Sequence, residues 1–144
     1  NYASAATSGY KASAATSGYK ASAATSGEGA GAATSGYKAS AATSGDGASA
    51  ATSGEGASAA TSGNYASAAT SGAGASAATS GKNSISACIG KDGKVRGALE
   101  NILVLAEWSD NYTPLWVKSV KVDGKGIKAD TWYSLKNGKF VEIA

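Results

Sequence analysis

The sequence has no histidine, no methionine and one cysteine, and before Ile85 it contains no isoleucine, leucine, valine, tryptophan or phenylalanine. Each absence excludes something. Without histidine, a metal-ligand cluster, a Gly-X-Ser-X-Gly motif or a phosphate loop, any acid/base pair would have to come from scattered Asp and Glu, so an enzyme is the least supported class. The single Cys88 rules out an intramolecular disulfide framework, and its neighbours Ala87 and Ile89 mark it as a buried small hydrophobe rather than a reactive thiol. A core of large side chains can form only after residue 81, in a length at which a single core is marginally stable by itself. No stretch approaches the ~18 apolar residues of a membrane span. The sequence begins in phase with its repeat, without an initiator Met or a signal peptide, and reads as a processed product or a piece of a longer chain.

What is present is a period. Asn1 to Gly81 is nine consecutive copies of a nine-residue unit whose spine, Ala-Ser-Ala-Ala-Thr-Ser-Gly, breaks once, at Gly31. The first two places of each unit vary: Asn-Tyr, Tyr-Lys, Tyr-Lys, Glu-Gly, Tyr-Lys, Asp-Gly, Glu-Gly, Asn-Tyr and Ala-Gly. A Gly every nine residues, preceded by Thr-Ser, interrupts any helix before its third turn. A flexible linker needs composition only, whereas this tract keeps order and phase, so the competing disordered reading is the weaker one. A β-solenoid uses both: five or six extended residues make a strand of ~17 to 20 Å, and the Gly with its variable neighbours supplies a corner with φ > 0.

A closed coil needs two strands facing each other, which predicts two units, or about 18 residues, per coil. Nine units then give about four and a half coils, rising ~4.8 Å each. Alternation points the third and fifth residues inward, Ala3 and Ala5 in the first unit, and the fourth outward. The opposite parity, with Ser4, Ala6 and Ser8 inward, stays open, because the tenth, degenerate unit has Ile85, Ala87 and Ile89 at those places. An alanine interior gives only ~0.8 kcal/mol per buried methyl, so backbone ladders and close packing of identical rungs must carry much of the stability.

The variable pair marks exposed corners. Tyr2, Tyr10, Tyr19, Tyr37 and Tyr65 stand beside Lys or Asn, and two units per coil place Tyr19 and Tyr37 on successive rungs of one edge, with Lys20 and Lys38 neighbours too. These corners are either solubilising or a surface for lateral association or glycan stacking. One Thr per unit does not make the two parallel Thr columns of an ice-binding face, and the preferred parity turns it inward. The Gly-Gly-X-Gly-X-Asp turn of calcium-binding nonapeptides is absent, so no metal or cofactor is expected.

From Ser84 onward the signals are strand and turn. Ile102 to Trp108, Leu115 to Val122, Thr131 to Leu135 and Lys139 to Ile143 are rich in β-branched and aromatic residues. Turns fall at Lys91-Asp92-Gly93, Ser109-Asp110-Asn111, Asp123-Gly124 and, most strongly, Asn137-Gly138. The division is a solenoid over 1–90 and a small β-rich domain over 91–144, with Trp108, Trp116, Trp132 and Phe140 supplying most of its core. The net charge of +3 lies in this C-terminal part, where the lysines are scattered with carboxylates among them, so a nucleic-acid partner is not expected.

The nonapeptides followed by Gly93-Lys94-Val95-Arg96-Gly97-Ala98-Leu99, Ile102-Leu103-Val104-Leu105-Ala106-Glu107, Val120-Lys121-Val122-Asp123-Gly124, Ile127 to Tyr133 and Asn137 to Glu142 form a distinctive series. Over essentially its whole length the chain resembles nonapeptide-repeat proteins of gut-type Gram-positive bacteria and their phages, which end in a domain of unknown function. The resemblance implies architecture and an extracellular, cell-surface or virion setting, and brings no catalytic residues. Glu100-Asn101 departs from it, standing where the family pattern has Gly with an aromatic or Cys. The leading expectation is a structural protein that self-assembles head to tail, because the C-terminal part can cap one end while nothing caps Asn1. The alternative is a tail-fibre or adhesin arm that binds a host glycan or surface protein.

Overall fold

A computed structural model of the chain, which describes residues 1–143, is an all-β solenoid of about six turns. The nine regular units give one strand each: β1 (Ser4–Ser8), β2 (Ser13–Ser17), β3 (Ser22–Ser26), β4 (Gly31–Ser35), β5 (Ser40–Thr43), β6 (Ser49–Thr52), β7 (Ser58–Thr61), β8 (Ser67–Thr70) and β9 (Ser76–Thr79). Strands alternate between two facing sheets, so each pairs in parallel with the strand two units on: Ser4 with Ser22, Ser13 with Gly31. Two units therefore make one coil, and every rung lies in register with the next.

The preferred parity holds. The third and fifth residues of the units are buried from the second coil onward, as in Ala21, Ala23, Ala39 and Ala41, and the seventh, Thr, turns inward with them. The tenth unit keeps this phase: Ser84, Ser86 and Cys88 are buried, while Ile85 and Ile89 point outward. Burial in a narrow interior suits small side chains, and isoleucine does not fit there.

The spine glycine is a packing requirement. A Cβ on Gly45 would strike the carbonyl oxygen of Gly27 one coil below, Gly63 stands in the same relation to Gly45, and the other corner repeats it from Gly36 to Gly90. Backbones touch at both corners, and only glycine permits that.

The coil runs on past the regular units through β10 (Ile85–Cys88), β11 (Lys94–Gly97) and β12 (Ile102–Trp108), all parallel to the strands below. The inward places change from Ala, Ala, Thr to Gly93, Val95, Gly97 and then to Asn101, Leu103, Leu105. Volumes compensate: a Cβ on Gly97 would lie 3.0 Å from Leu103 and 3.1 Å from Asn101, and one on Gly93 would strike the Cys88 sulfur, so Gly97 makes room for Leu103 and Asn101 and Gly93 for Cys88. Three further strands complete the sheets, β13 (Pro114–Lys121) antiparallel to β12, and the hairpin β14 (Tyr133–Lys136) and β15 (Lys139–Glu142) antiparallel to β11. Sheet A reads β1-β3-β5-β7-β9-β11-β14-β15 and sheet B reads β13-β12-β10-β8-β6-β4-β2. The Asn137-Gly138 turn has φ of 51° and 69°, the two positive values of a type I′ hairpin.

The C-terminal core corrects the expectation from composition. Val95, Leu103, Leu105, Val122, Tyr133 and Leu135 build it, continuous with the alanine columns. Trp108 and Trp132 are half-buried, Phe140 packs at the margin and Trp116 is 49% exposed. The gap between the sheets accepts Val or Leu but not an indole, so the tryptophans lie outside it. Trp132 covers Lys94 and Arg96, whose cationic ends sit 4.8 and 4.9 Å from its ring.

Candidate functional site

The candidate surfaces are the two narrow edges of the coil, where the variable pairs sit, and its two ends. From the second unit on, the second residue of each pair occupies the left-handed region: φ is 53° at Lys20 and Lys38, 54° at Lys11 and Tyr65, and 64° to 67° where the residue is Gly29, Gly47, Gly56 or Gly74. This conformation turns the chain from one sheet to the other and projects the first and second side chains into solvent. Its N–H donates to the first-place carbonyl one coil up, as Lys20 does to Tyr37 at 2.8 Å.

Strand alternation sends odd and even units to opposite edges. One edge brings together Tyr2, Tyr19, Lys20, Tyr37 and Lys38. Tyr19 and Tyr37 stack with centroids 5.5 Å apart at 14°, and Tyr2 meets Tyr19 edge-on at 6.1 Å. Lys20 lies over Tyr19 at 5.4 Å and over Tyr2 at 5.9 Å, and Lys38 over Tyr37 at 5.2 Å. The lysines therefore lie along an aromatic column, and mutual cover leaves Tyr19 and Tyr37 44% and 41% exposed against 69% and 71% for Tyr10 and Tyr65.

Tyr10 and Tyr65 belong to the other edge, with Glu28 and Asp46 between them. There Asp46 Oδ1 accepts the N–H of Asn64 at 2.8 Å and Asn64 Oδ1 accepts that of Lys82 at 2.9 Å. These short polar side chains tie three successive corners. Among the described residues the ion pairs are Lys91 with Asp110, Lys121 with Glu100 and Lys128 with Glu142, and none uses a charge of the regular units.

Three features escaped composition and period. Asn101 is fully buried and stitches the upper coil: its Oδ1 accepts the N–H of Ser84 at 3.0 Å, and its Nδ2 donates to Thr79 Oγ1 at 3.0 Å and to the Gly81 carbonyl at 2.9 Å. Thr79 and Ser86 hydroxyls are 2.9 Å apart, and Ser86 donates to the Arg96 carbonyl at 2.7 Å. Glu100, just before it, has φ of 73°, a corner conformation natural to glycine. At the C-terminal end, Glu107 accepts the N–H groups of Asn137 and Gly138 at 2.8 Å each. That carboxylate holds the β14–β15 turn of sheet A to β12 of sheet B, and Trp116 covers the same turn at Gly138.

At the C-terminal end, β13 is exposed at every residue except half-buried Val120, with Leu115, Trp116 and Val117 uncovered. At the opposite end β1 is the outermost strand of sheet A. Among the described residues there is no group of three His, Cys, Asp or Glu that could hold a metal ion, and no helix long and apolar enough to cross a membrane. Comparison of the chain with protein-family models, with curated proteins and with solved structures finds no match.

Proposed function

We propose that the chain is a structural protein that assembles head to tail into a fibre by β-augmentation between solenoid ends. The observation that carries this reading is the direction of the terminal strands of sheet A. β14 is antiparallel to β11 and β15 antiparallel to β14, so β15 runs the same way as β1. β1 of a second copy can therefore pair in parallel with β15, continuing the sheet across the junction.

The ends are stepped, which selects this sheet. Sheet A has eight strands and sheet B seven. Seating β2 of a second copy on β13 would drive its β1 into β15, whereas pairing β1 with β15 leaves a gap one strand high beside β13. Leu115, Trp116 and Val117 border that gap and supply large apolar surface to bury at the junction. A contact between two different ends does not close on itself and generates a filament.

The fibre belongs outside the cell or on a phage particle, the setting that the nonapeptide resemblance suggests. A second reading, a rigid arm whose edge or C-terminal end contacts a host glycan or protein, draws support from the exposed stack of Tyr2, Tyr19 and Tyr37.

Ala6→Pro tests the junction. Ala3 and Gly9 make their ladder bonds toward β3, so the N–H of Ala6, an odd three residues from each, points to the free edge. Proline there removes an outward donor and leaves the β1–β3 ladder intact. Electron microscopy is expected to show filaments for the native chain and short particles for Ala6→Pro with unchanged thermal stability; equal filament formation by both would reject the junction.

A further inference from the structure

The two long edges differ in charge as well as in aromatic content, and the difference has a register. Up the tyrosine edge the corners carry Tyr2, Lys20, Lys38 and Glu55; up the opposite edge they carry Lys11, Glu28, Asp46 and Tyr65. Because strands alternate between sheets, the two series are offset by half a coil. Among the described residues none of these charges has an ion-pair partner, and Lys20 and Lys38 are held along the stacked tyrosines rather than spread freely into solvent.

We propose that the edges pair between copies lying side by side in the same direction, with Lys20 and Lys38 of one copy on Glu28 and Asp46 of the next. A slide of half a coil, about 2.4 Å at the usual strand spacing, sets Lys20 opposite Glu28 and Lys38 opposite Asp46 at once. The same slide in the other direction keeps one attractive contact, Lys38 with Glu28, but sets Lys20 against Lys11 and Glu55 against Asp46. Charge therefore fixes both the partner edge and the sense of the stagger. The aromatic column adds flat, rigid surface at the centre of the contact.

The contact joins one edge to the other, never an edge to itself, so each copy keeps one free edge of each kind and the product is a ribbon of parallel solenoids. It uses corners, whereas the end-to-end junction uses β1 and β15, so either can form without the other. Exposed ion pairs are weak and screened by salt. Ribbons are expected at low ionic strength and single-width particles or filaments at high ionic strength.

The test is a charge swap. Lys20→Glu with Lys38→Glu makes both edges acidic, and Glu28→Lys with Asp46→Lys makes both basic. Sedimentation velocity and negative-stain microscopy at low ionic strength should show lateral association of the native chain. Each variant alone should need about tenfold higher concentration or more, as expected for loss of two exposed pairs, and an equimolar mixture should recover association. Thermal unfolding of each variant near that of the native chain shows that the corner itself is intact; because Asp46 also accepts the Asn64 N–H, Glu28→Gln with Asp46→Asn, which keeps that acceptor and removes the charges, should weaken association as well. Lateral association of either variant at native concentrations, failure of two folded variants to recover it on mixing, or a native chain that stays one solenoid wide at low ionic strength would each overturn the proposal. Loss of filament length at unchanged width speaks only to the end-to-end junction.

Discussion

The threonine of each unit shows how residue chemistry and repeat geometry conflict. Its β-branch suits a strand and its methyl fills a narrow interior, but the hydroxyls of Thr16, Thr25, Thr34, Thr43, Thr52, Thr61 and Thr70 are buried without a partner. Thr79 differs, because Asn101 and Ser86 reach its hydroxyl. Burying an unpaired hydroxyl costs about 1–3 kcal/mol. Thr43→Val is therefore expected to stabilise the fold by about 1 kcal/mol, and Thr79→Val to destabilise it by a similar amount by leaving one of the two N–H donors of the buried Asn101 amide unpaired. Denaturant unfolding of the two variants checks the pair, and shifts of the same sign would contradict it. The opposite roles of Thr43 and Thr79 are invisible in the sequence, where both occupy the seventh place of an identical spine.

At the scale of elements, the loop after β13 is held by one carboxylate. Asp123 Oδ1 accepts the N–H of Lys125 and of Ile127, both at 2.9 Å, and the donation from Ile127, then Lys125, holds its carboxyl below the usual aspartate value. A lowered pKa means that this support is fully present above the unfolded value, ~3.9, and is lost as pH falls through the folded one. Amide resonances of Lys125 and Ile127 are expected to shift with a midpoint below that of free aspartate, and Asp123→Ala to remove the transition; a midpoint above it would reverse the sign. Sequence made this turn legible through Asp123-Gly124, and likewise the Asn137-Gly138 hairpin, because such turns are local. It did not reveal that β11 and β12 continue the coil, since Val95 and Leu103 disguise the alanine place and only register with Ala77 and Ser86 identifies it. The tryptophans misled for a related reason: aromatic content indicates burial only where the interior fits the ring, and this one takes Tyr133 but no indole, while Glu107, a charged residue with no motif around it, was silent.

For the whole molecule, the legible part was what repeats. A period of nine with two variable places fixed an 18-residue coil, inward alanines and the Tyr19–Tyr37 stack, because each follows from alternation and strand spacing alone. The two edges became distinct only when the coil was closed: Tyr10 and Tyr65 look like the other tyrosines in sequence but lie across the molecule from them. The stepped end, eight strands against seven, depends on how the last three strands divide between sheets. Together these features describe a solenoid whose proposed axial growth runs through sheet A and whose proposed lateral association runs through its edges. Cryo-electron microscopy of the purified chain tests the axial claim most directly. The expected result is a filament with an axial subunit repeat of about 38 Å, the height of eight strands at ~4.8 Å, in which β1 of one copy lies beside β15 of the next. Single particles at every concentration, or filaments in which the free edge of β1 faces solvent, would contradict it.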